Sequence, residues 1–423
     1  MNLSPFIRET AKSETLLINE LSLKKVSEGE TLYRFGFGQS PFLPPLHVID
    51  GVKLRAHHKE YQSVQGLTEL REAVATFHTE VDELDYSADQ VVIGPGSKML
   101  IYAVMASFKK ANVFLVTPSW VSYEPQAILA GHPIYRINTS FENKWRLLPA
   151  DLEKALSERE NKEHPSLMIL NYPGNPDGLT YSPEELKAIA DVARKHNLLI
   201  ISDEIYGLLN HKCEHHSIAK FYPEATIVTA GLSKWCGAGG WRLGVALFPK
   251  KSLIQNAVIG VASETYSCVS APIAYAAIEA YNYDDRIKKY LTVQRQILSH
   301  LGNWIADELS TAGVSVCKPE GGFYVNPDFT PLKEKLSSRG ITNSQNLCAA
   351  LLDDINVVLL PGLAFGYADD NLVTRLAYVD FDGATILDGM LNGSIIVNES
   401  FIKEHTPKVH QGITALANWV RSL

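Results

Sequence analysis

Gly231-Leu232-Ser233-Lys234-Trp235-Cys236-Gly237-Ala238-Gly239-Gly240-Trp241-Arg242-Leu243-Gly244 follows a strand-like apolar run, Ala225 to Ala230, and sets one lysine in a loop of small residues. Gly237, Gly239 and Gly240 cost backbone entropy on folding, a cost that loops usually meet where the backbone must closely approach a ligand. Lys234 suits an amine that forms an imine with a carbonyl cofactor, and Arg242, eight residues on, suits that cofactor's phosphate. The glycine spacing does not fit a dinucleotide fingerprint, because Trp241 and Arg242 stand where a helix should begin.

Outward from this loop, short apolar runs alternate with amphipathic segments: Val91 to Ile93, Val113 to Val116, Leu167 to Leu170, Leu198 to Ile201, Ile227 to Thr229 and Leu243 to Phe248. Continuous apolar runs suit strands covered on both faces, which predicts an α/β fold with a mostly parallel sheet sandwiched by helices. One helix is marked in detail: Ser182-Pro183-Glu184-Glu185 supplies an N-cap, a first-turn proline and a capping-box glutamate ahead of the stripe Leu186, Ile189, Ala190 and Ala193. Earlier, residues 5 to 27 read as an irregular helix, and Leu67, Leu70, Val74 and Phe77 share one helical face. Past residue 285 the rhythm changes to a long amphipathic helix and the extended stretches 319–325, 357–361 and 373–378, which predicts a smaller α+β unit. The expected division is 1–55, packing with the small unit, 56–284 as the large unit, and 285–423. Residues 380–405 read as a loop insertion before a final helix.

Open α/β sheets bind ligands beyond the carboxyl ends of their strands. There this chain carries Gly94-Pro95-Gly96-Ser97-Lys98, Thr117-Pro118-Ser119-Trp120, Asn171-Tyr172-Pro173-Gly174-Asn175-Pro176-Asp177-Gly178 and Ser202-Asp203-Glu204-Ile205-Tyr206. Gly94 to Ser97 offers backbone N–H groups to an anion or is simply a tight turn. Trp120 suits stacking on a planar ring or ordinary packing at a strand end. Asn175 to Gly178 makes a good turn on its own. Asp203, ending a hydrophobic strand, needs a partner such as a cationic ring nitrogen, and Tyr206, three residues on, is placed to reach the same ligand.

The 423 residues carry a net charge of −8 with no Lys/Arg run, which argues against a nucleic-acid partner. Five scattered cysteines without a Cys-x-x-Cys pair read as free thiols in a reducing compartment, hence a cytoplasmic protein. No apolar segment approaches bilayer length, and the histidine pairs His57-His58 and His215-His216 lack metal-ligand spacing, so neither a membrane span nor a metal is expected.

Taken together, Ser233-Lys234 with Gly240-Trp241-Arg242-Leu243-Gly244, Asn175-Pro176-Asp177-Gly178, Ser202 to Tyr206 and Arg375-Leu376-Ala377-Tyr378 resemble the fold type I, class I/II aminotransferases that use pyridoxal 5′-phosphate. The resemblance runs in order from about Gly36 to Tyr378. It implies that Lys234 is the Schiff-base lysine, Asp203 faces the pyridine nitrogen, and Asn175 and Tyr206 bond the ring hydroxyl. It assigns the phosphate to Gly96, Ser97, Lys98, Ser233 and Arg242, with Tyr61 reaching it from the neighbouring subunit of a homodimer. Trp120 lies over the ring, and Gly38, Asn175 and Arg375 take the substrate carboxylate. The implied reaction moves an amino group between an L-amino acid and a 2-oxo acid.

Three departures stand out. Gly231 replaces a common serine, Asp177 replaces the usual threonine and adds a negative charge near the ring side of the site, and Gly38 is followed by Gln39-Ser40-Pro41 where an acidic-proline pattern is common. No arginine occurs in Ser263 to Pro272, where some dicarboxylate-specific members carry one. The same motifs admit a C–S β-lyase or a carbon–carbon bond-forming enzyme. A regulator with an aminotransferase-like module needs a DNA-binding domain, and the roughly thirty residues before the first matching segment show no basic helix-turn-helix.

Overall fold

The computed structural model describes residues 14–423, so the part of the expected 5–27 helix before residue 14 lies outside the described residues, and Glu14–Ser27 is helical. In chain order the strands are β1 (Tyr33–Arg34), β2 (Val91–Gly94), β3 (Asn112–Thr117), β4 (Ile134–Asn138), β5 (Ser166–Asn171), β6 (Leu199–Asp203), β7 (Thr226–Gly231), β8 (Gly244–Leu247), β9 (Tyr324–Val325), β10 (Val357–Val358), β11 (Leu360–Pro361) and β12 (Thr374–Ala377).

Seven of them form one sheet in the order β2-β8-β7-β6-β5-β3-β4. All pairings are parallel except those of β8, which runs antiparallel to both β2 and β7. The apolar runs are strands because both faces are covered. Val113 and Leu115 pack into one core with Ile169 and Ile201, while the alternating Phe114 and Val116 pack into another with Met168, Leu170 and Ile200. The edge strand β4 escaped the sequence reading because four of its five residues remain partly or fully exposed.

The capping box ahead of helix Pro183–Lys195 is made as expected: the Glu185 N–H donates to the Ser182 hydroxyl at 3.2 Å, and the Ser182 N–H donates to the Glu185 carboxylate at 2.7 Å. Leu186, Ile189, Ala190 and Ala193 are its buried face. Helix Asp285–Ala312 spans 28 residues and leads to the antiparallel sheet β11-β12-β9. The N-terminal segment joins this later part: β1 pairs with β10, and the Ala377 N–H donates to the Phe35 carbonyl at 2.8 Å.

Residues 380–405 are not a loop insertion. Asp382 caps a helix, Gly383–Asn392, by accepting from the Thr385 N–H, and Ile386 and Leu387 are buried with the main core. A second helix, Phe401–His405, precedes the final one, Pro407–Arg421. The Asp cap and the apolar pair were the missed signals. No helix among the described residues is long and apolar enough to cross a membrane, and no group of histidine, cysteine or acidic side chains among them is placed to hold a metal.

Candidate active site

β5, β6 and β7 run parallel, so their carboxyl ends open onto the same rim of the sheet. A cavity of about 390 Å³ lies there, lined by Gly38, Ser97, Lys98, Trp120, Asn175, Asp203, Tyr206, Ser233, Lys234, Arg242 and Arg375. Loops separated by hundreds of residues therefore deliver nearly every residue singled out from the sequence to one place. A larger cavity, about 740 Å³, lies beyond Trp120 and contains neither Lys234 nor Asp203 in its walls. The smaller one holds the chemistry.

Lys234 leaves β7 and extends across this space, where its Nζ donates to the Gly38 carbonyl at 3.1 Å and lies 5.4 Å from the Tyr206 ring centre. Asp203, 2% exposed, ends β6. Its Oδ2 accepts from the Tyr123 hydroxyl at 2.6 Å and its Oδ1 from the Thr229 hydroxyl at 3.3 Å. Burial raises its pKa to about 6 against the opposing pull of these hydrogen bonds and of Lys234, so it is an anion at neutral pH. Burial also holds the Tyr206 phenol well above its ordinary value, reinforced by Tyr324, whose hydroxyl lies 2.9 Å from that of Tyr206.

Arg375 is 1% exposed, and no carboxylate among the described residues pairs with it. Its Nη1 donates to the Asn175 side-chain carbonyl at 3.2 Å, its Nη2 donates to the Gly36 carbonyl at 2.6 Å, and its Nε has no partner. Burial lowers its pKa. A buried guanidinium satisfied only by neutral groups is a site for an anion.

At the other end, helix Ser97–Ala106 begins after Gly96 with no side-chain cap, leaving its first N–H groups for a ligand. Gly96 sits at φ +90°, and a Cβ there would lie 2.3 Å from the Arg242 Nη2. Arg242, itself left-handed at φ 55°, is steadied by the Gly239 carbonyl at 2.9 Å and the Pro95 carbonyl at 3.3 Å. Lys98 points its Nζ over the Trp120 ring at 4.8 Å, and its pKa is lowered by burial and then by Arg242 and Lys234. Gly231 has a steric reason: a Cβ there would stand 2.7 Å from the Leu243 carbonyl across the β7–β8 pair.

One expectation needs adjustment. Asp177 does not place its charge toward the ring side; it lines a separate small cavity behind Asn175, with Arg146 and Trp145. Tyr61, expected to act at a neighbouring subunit's site, is 93% exposed on this chain. The sequence reading missed Tyr123, Asn171 and Tyr324. Asn171 is the last residue of β5; its side-chain NH₂ donates to the Asp203 carbonyl at 2.7 Å, and its Oδ1 accepts from the Asn175 N–H at 2.8 Å. Its position at a strand's carboxyl end was the available signal.

The model of the family "Aminotransferase class I and II" matches residues 32–380. An aspartate aminotransferase of Geobacillus stearothermophilus is 32% identical over 400 residues, 92% of this chain and 96% of that one. An asparagine–oxo-acid transaminase of Streptococcus mutans is 32% identical over 389 residues, 89% of this chain and 94% of that one. In fold, the chain is similar to a Thermotoga maritima aspartate aminotransferase structure, with a TM-score of 0.82 at 24% identity, covering 99% of this chain and 100% of that one. Motifs, sheet and relatives agree: the chain belongs to the class I and II aminotransferases and is a pyridoxal-phosphate-dependent transaminase.

Proposed function

We propose that this aminotransferase takes an acidic L-amino acid as donor and a 2-oxo acid as acceptor, and that it works as a cytoplasmic homodimer. The observation that carries the donor class is the cavity's charge: Lys98, Lys234, Arg242 and Arg375 face a single carboxylate, Asp203. With Lys234 carrying the cofactor, Lys98 and Arg242 at its phosphate and Arg375 at the α-carboxylate, the cavity as a whole favours an anionic substrate. Relatives named for aspartate point the same way.

The residues present fit the cofactor. The uncapped helix start, the Gly96 gap against Arg242 and the Ser97 and Ser233 lining suit a phosphate. Asp203 suits the ring nitrogen, Asn175 and Tyr206 the ring hydroxyl, Trp120 the ring face, and Lys234 the aldehyde carbon. Pyridoxal phosphate, when bound, supplies a ring that delocalises the electron pair left at the substrate α-carbon.

Asp203 keeps a proton on the ring nitrogen by offering a fixed anion there, itself held by Tyr123 and Thr229. Arg375 would grip the α-carboxylate through its planar fork, and the missing side chain at Gly38 leaves room for the Tyr324 hydroxyl, which a Cβ there would strike. Lys234 Nζ, once freed from the cofactor, would be the group that moves a proton between the substrate α-carbon and the cofactor's aldehyde carbon.

Exposed Leu43, Leu46, Leu54 and Tyr61 lie in one stretch and support a covered face between two copies, across which Tyr61 reaches the partner's phosphate site. No disulfide joins cysteines among the described residues, in keeping with a reducing compartment. For the architecture we keep the division 1–55, 56–284 and 285–423, supported by the β1–β10 pairing, with helix Leu46–Arg55 tying the first part to helix Ala271–Ala280.

The test is purified holoenzyme with L-aspartate and 2-oxoglutarate. Equimolar oxaloacetate and glutamate are expected, and Lys234→Ala loses both this turnover and the visible band of bound cofactor. No glutamate from L-aspartate, with pyruvate and ammonia released instead from an amino acid that carries a β-leaving group such as L-cysteine, would reassign the reaction to β-elimination. Sedimentation at the mass of one chain would remove the dimer.

A further inference from the structure

Behind the Asn175 turn, on the side away from the main cavity, lies a cavity of about 30 Å³ whose walls include Asn171, Asn175, Tyr123, Asp177, Trp145 and Arg146. It has room for about one water. The turn itself is closed from within: the Leu179 N–H donates to the Asp177 Oδ1 at 2.9 Å, the Gly174 N–H to the Leu179 carbonyl at 2.9 Å, and the Gly178 N–H to the Gly174 carbonyl at 3.0 Å. Trp145 Nε1 and Arg146 Nε, both buried, have no hydrogen-bond partner.

The turn is also stitched to the segment that leads into β9. The Glu320 and Gly321 N–H groups donate to the Gly178 carbonyl at 2.8 and 3.0 Å, and the Thr180 N–H donates to the Glu320 carboxylate at 2.9 Å. Arg146 Nη2 donates to the same Glu320 oxygen at 2.7 Å. A Cβ on Gly178 would lie 2.3 Å from the Tyr324 carbonyl, so the two segments are in direct contact. One segment carries Asn175, which holds Arg375; the other carries Tyr324, which touches Tyr206 and the Gly38 carbonyl. Their relative position therefore sets the shape of the substrate end of the site.

We propose that Asp177 is a positioning residue for substrate binding: it sets the turn that presents Asn175 and competes with Glu320 for Arg146, the link between that turn and the Tyr324 strand. The inference rests on the assignment of Asn175 and Arg375 to the substrate carboxylate. Arg146 and Glu320 act on Asp177 by charge, and Tyr181, Cys317 and Tyr367 feel its charge; one step further out, Glu185 acts on Arg146 and Lys144 on Cys317. Arg146 also lies 3.6 Å from Glu185, so one guanidinium serves several carboxyl groups. With Asp177 neutral, Glu320 keeps Arg146 and the stitch is tight. With Asp177 ionised, a second anion draws on Arg146 and repels Glu320, and the stitch loosens. Burial raises the Asp177 pKa to about 7, so the exchange between the two states falls in the working range.

The experiment compares wild-type holoenzyme with Asp177→Asn, which keeps the acceptor for the Leu179 N–H and cannot ionise. KM for L-aspartate and kcat are measured between about pH 6 and about pH 8.5, either side of the proposed ionisation. The wild-type KM is expected to rise about tenfold with pH, the scale of one charge-assisted hydrogen bond, while the Asp177→Asn KM shows no such rise and kcat changes by the same factor in both. Amide hydrogen exchange at residues 178–180 and 320–322, read without substrate, is expected to exceed the ordinary pH acceleration in the wild type and not in the variant. An equal pH rise of KM in both proteins, or equal exchange in both, overturns the proposal. Wild-type protein without transamination but with the exchange difference would instead refute the acidic-donor reading and leave the positioning role standing.

Discussion

Asp203 and Glu204 are neighbours in sequence, both carboxylates and both buried, yet they have opposite tasks. Asp203 faces the main cavity with two hydroxyl donors behind it, Tyr123 and Thr229. Glu204 faces away. Its Oε1 accepts from the hydroxyls of Ser202 at 2.7 Å, Ser217 at 2.6 Å and Tyr172 at 3.3 Å, and its Oε2 lies 2.8 Å from His215 Nε2. The alternation of side chains at the end of β6 sends one carboxylate to the ligand and the other into the scaffold. A buried carboxylate is a reagent where its partners leave capacity toward a cavity, and a brace where they use that capacity up.

The largest test of this contrast is Asp203→Asn. Turnover should fall about 10²- to 10³-fold, the scale of losing one fixed electrostatic partner at a reacting centre, with little change in thermal stability. Glu204→Gln should do the reverse. Removing one partner of the buried Glu204–His215 pair is expected to cost about 3 kcal/mol of stability by denaturant titration, while kcat stays within about twofold. A catalytic loss at Glu204 as deep as that at Asp203, without a stability loss, would break the comparison.

Arg242→Ala sharpens it from the far end of the cofactor site. Pyridoxal phosphate affinity should weaken by about 1.5–3 kcal/mol, as expected for a charged hydrogen bond, measured by equilibrium dialysis. The smallest effect is in the pH dependence of cofactor-free stability. The Asp203 pKa is raised from 3.8 to about 6, so its contribution is present below its unfolded value and lost as pH rises through about 6. His215 is pulled down by burial but raised overall by the hydrogen bond and charge of Glu204. Its contribution is present below the unfolded value of 6.5 and lost at higher pH, as pH passes the raised folded value. Asp203→Asn should flatten the acidic window and Glu204→Gln the upper one; the opposite assignment would undo the division of labour.

Much of the site was legible because the chemistry sits in short contiguous motifs at strand ends. Lys234, Arg242, Asp203 and Asn175 each follow a recognisable apolar run, and the parallel sheet brings those ends together. Tyr123 and Tyr324 were not legible, since their roles depend on pairings across 80 and 118 residues that no local pattern encodes. The helix Gly383–Asn392 was hidden by the turn residues at both its ends, Asp382-Gly383 and Gly393. Asp177 shows the limit of motif reading most clearly: its place in the Asn-Pro-x-Gly turn was plain, but that its carboxylate turns back to the Leu179 N–H and lines a separate cavity with Arg146 follows from packing around the turn.

The hydrogen bond from Arg375 to the Gly36 carbonyl spans 339 positions of chain. At the usual 5–20 residues per second of synthesis, the early segment waits roughly 17–68 s for that partner to be made. β1 waits almost as long for β10. The anion-binding pocket around Arg375 is thus among the last parts of the molecule to exist at the ribosome, and a transcript cut short before codon 375 yields a product with a lysine loop but nothing to grip a substrate.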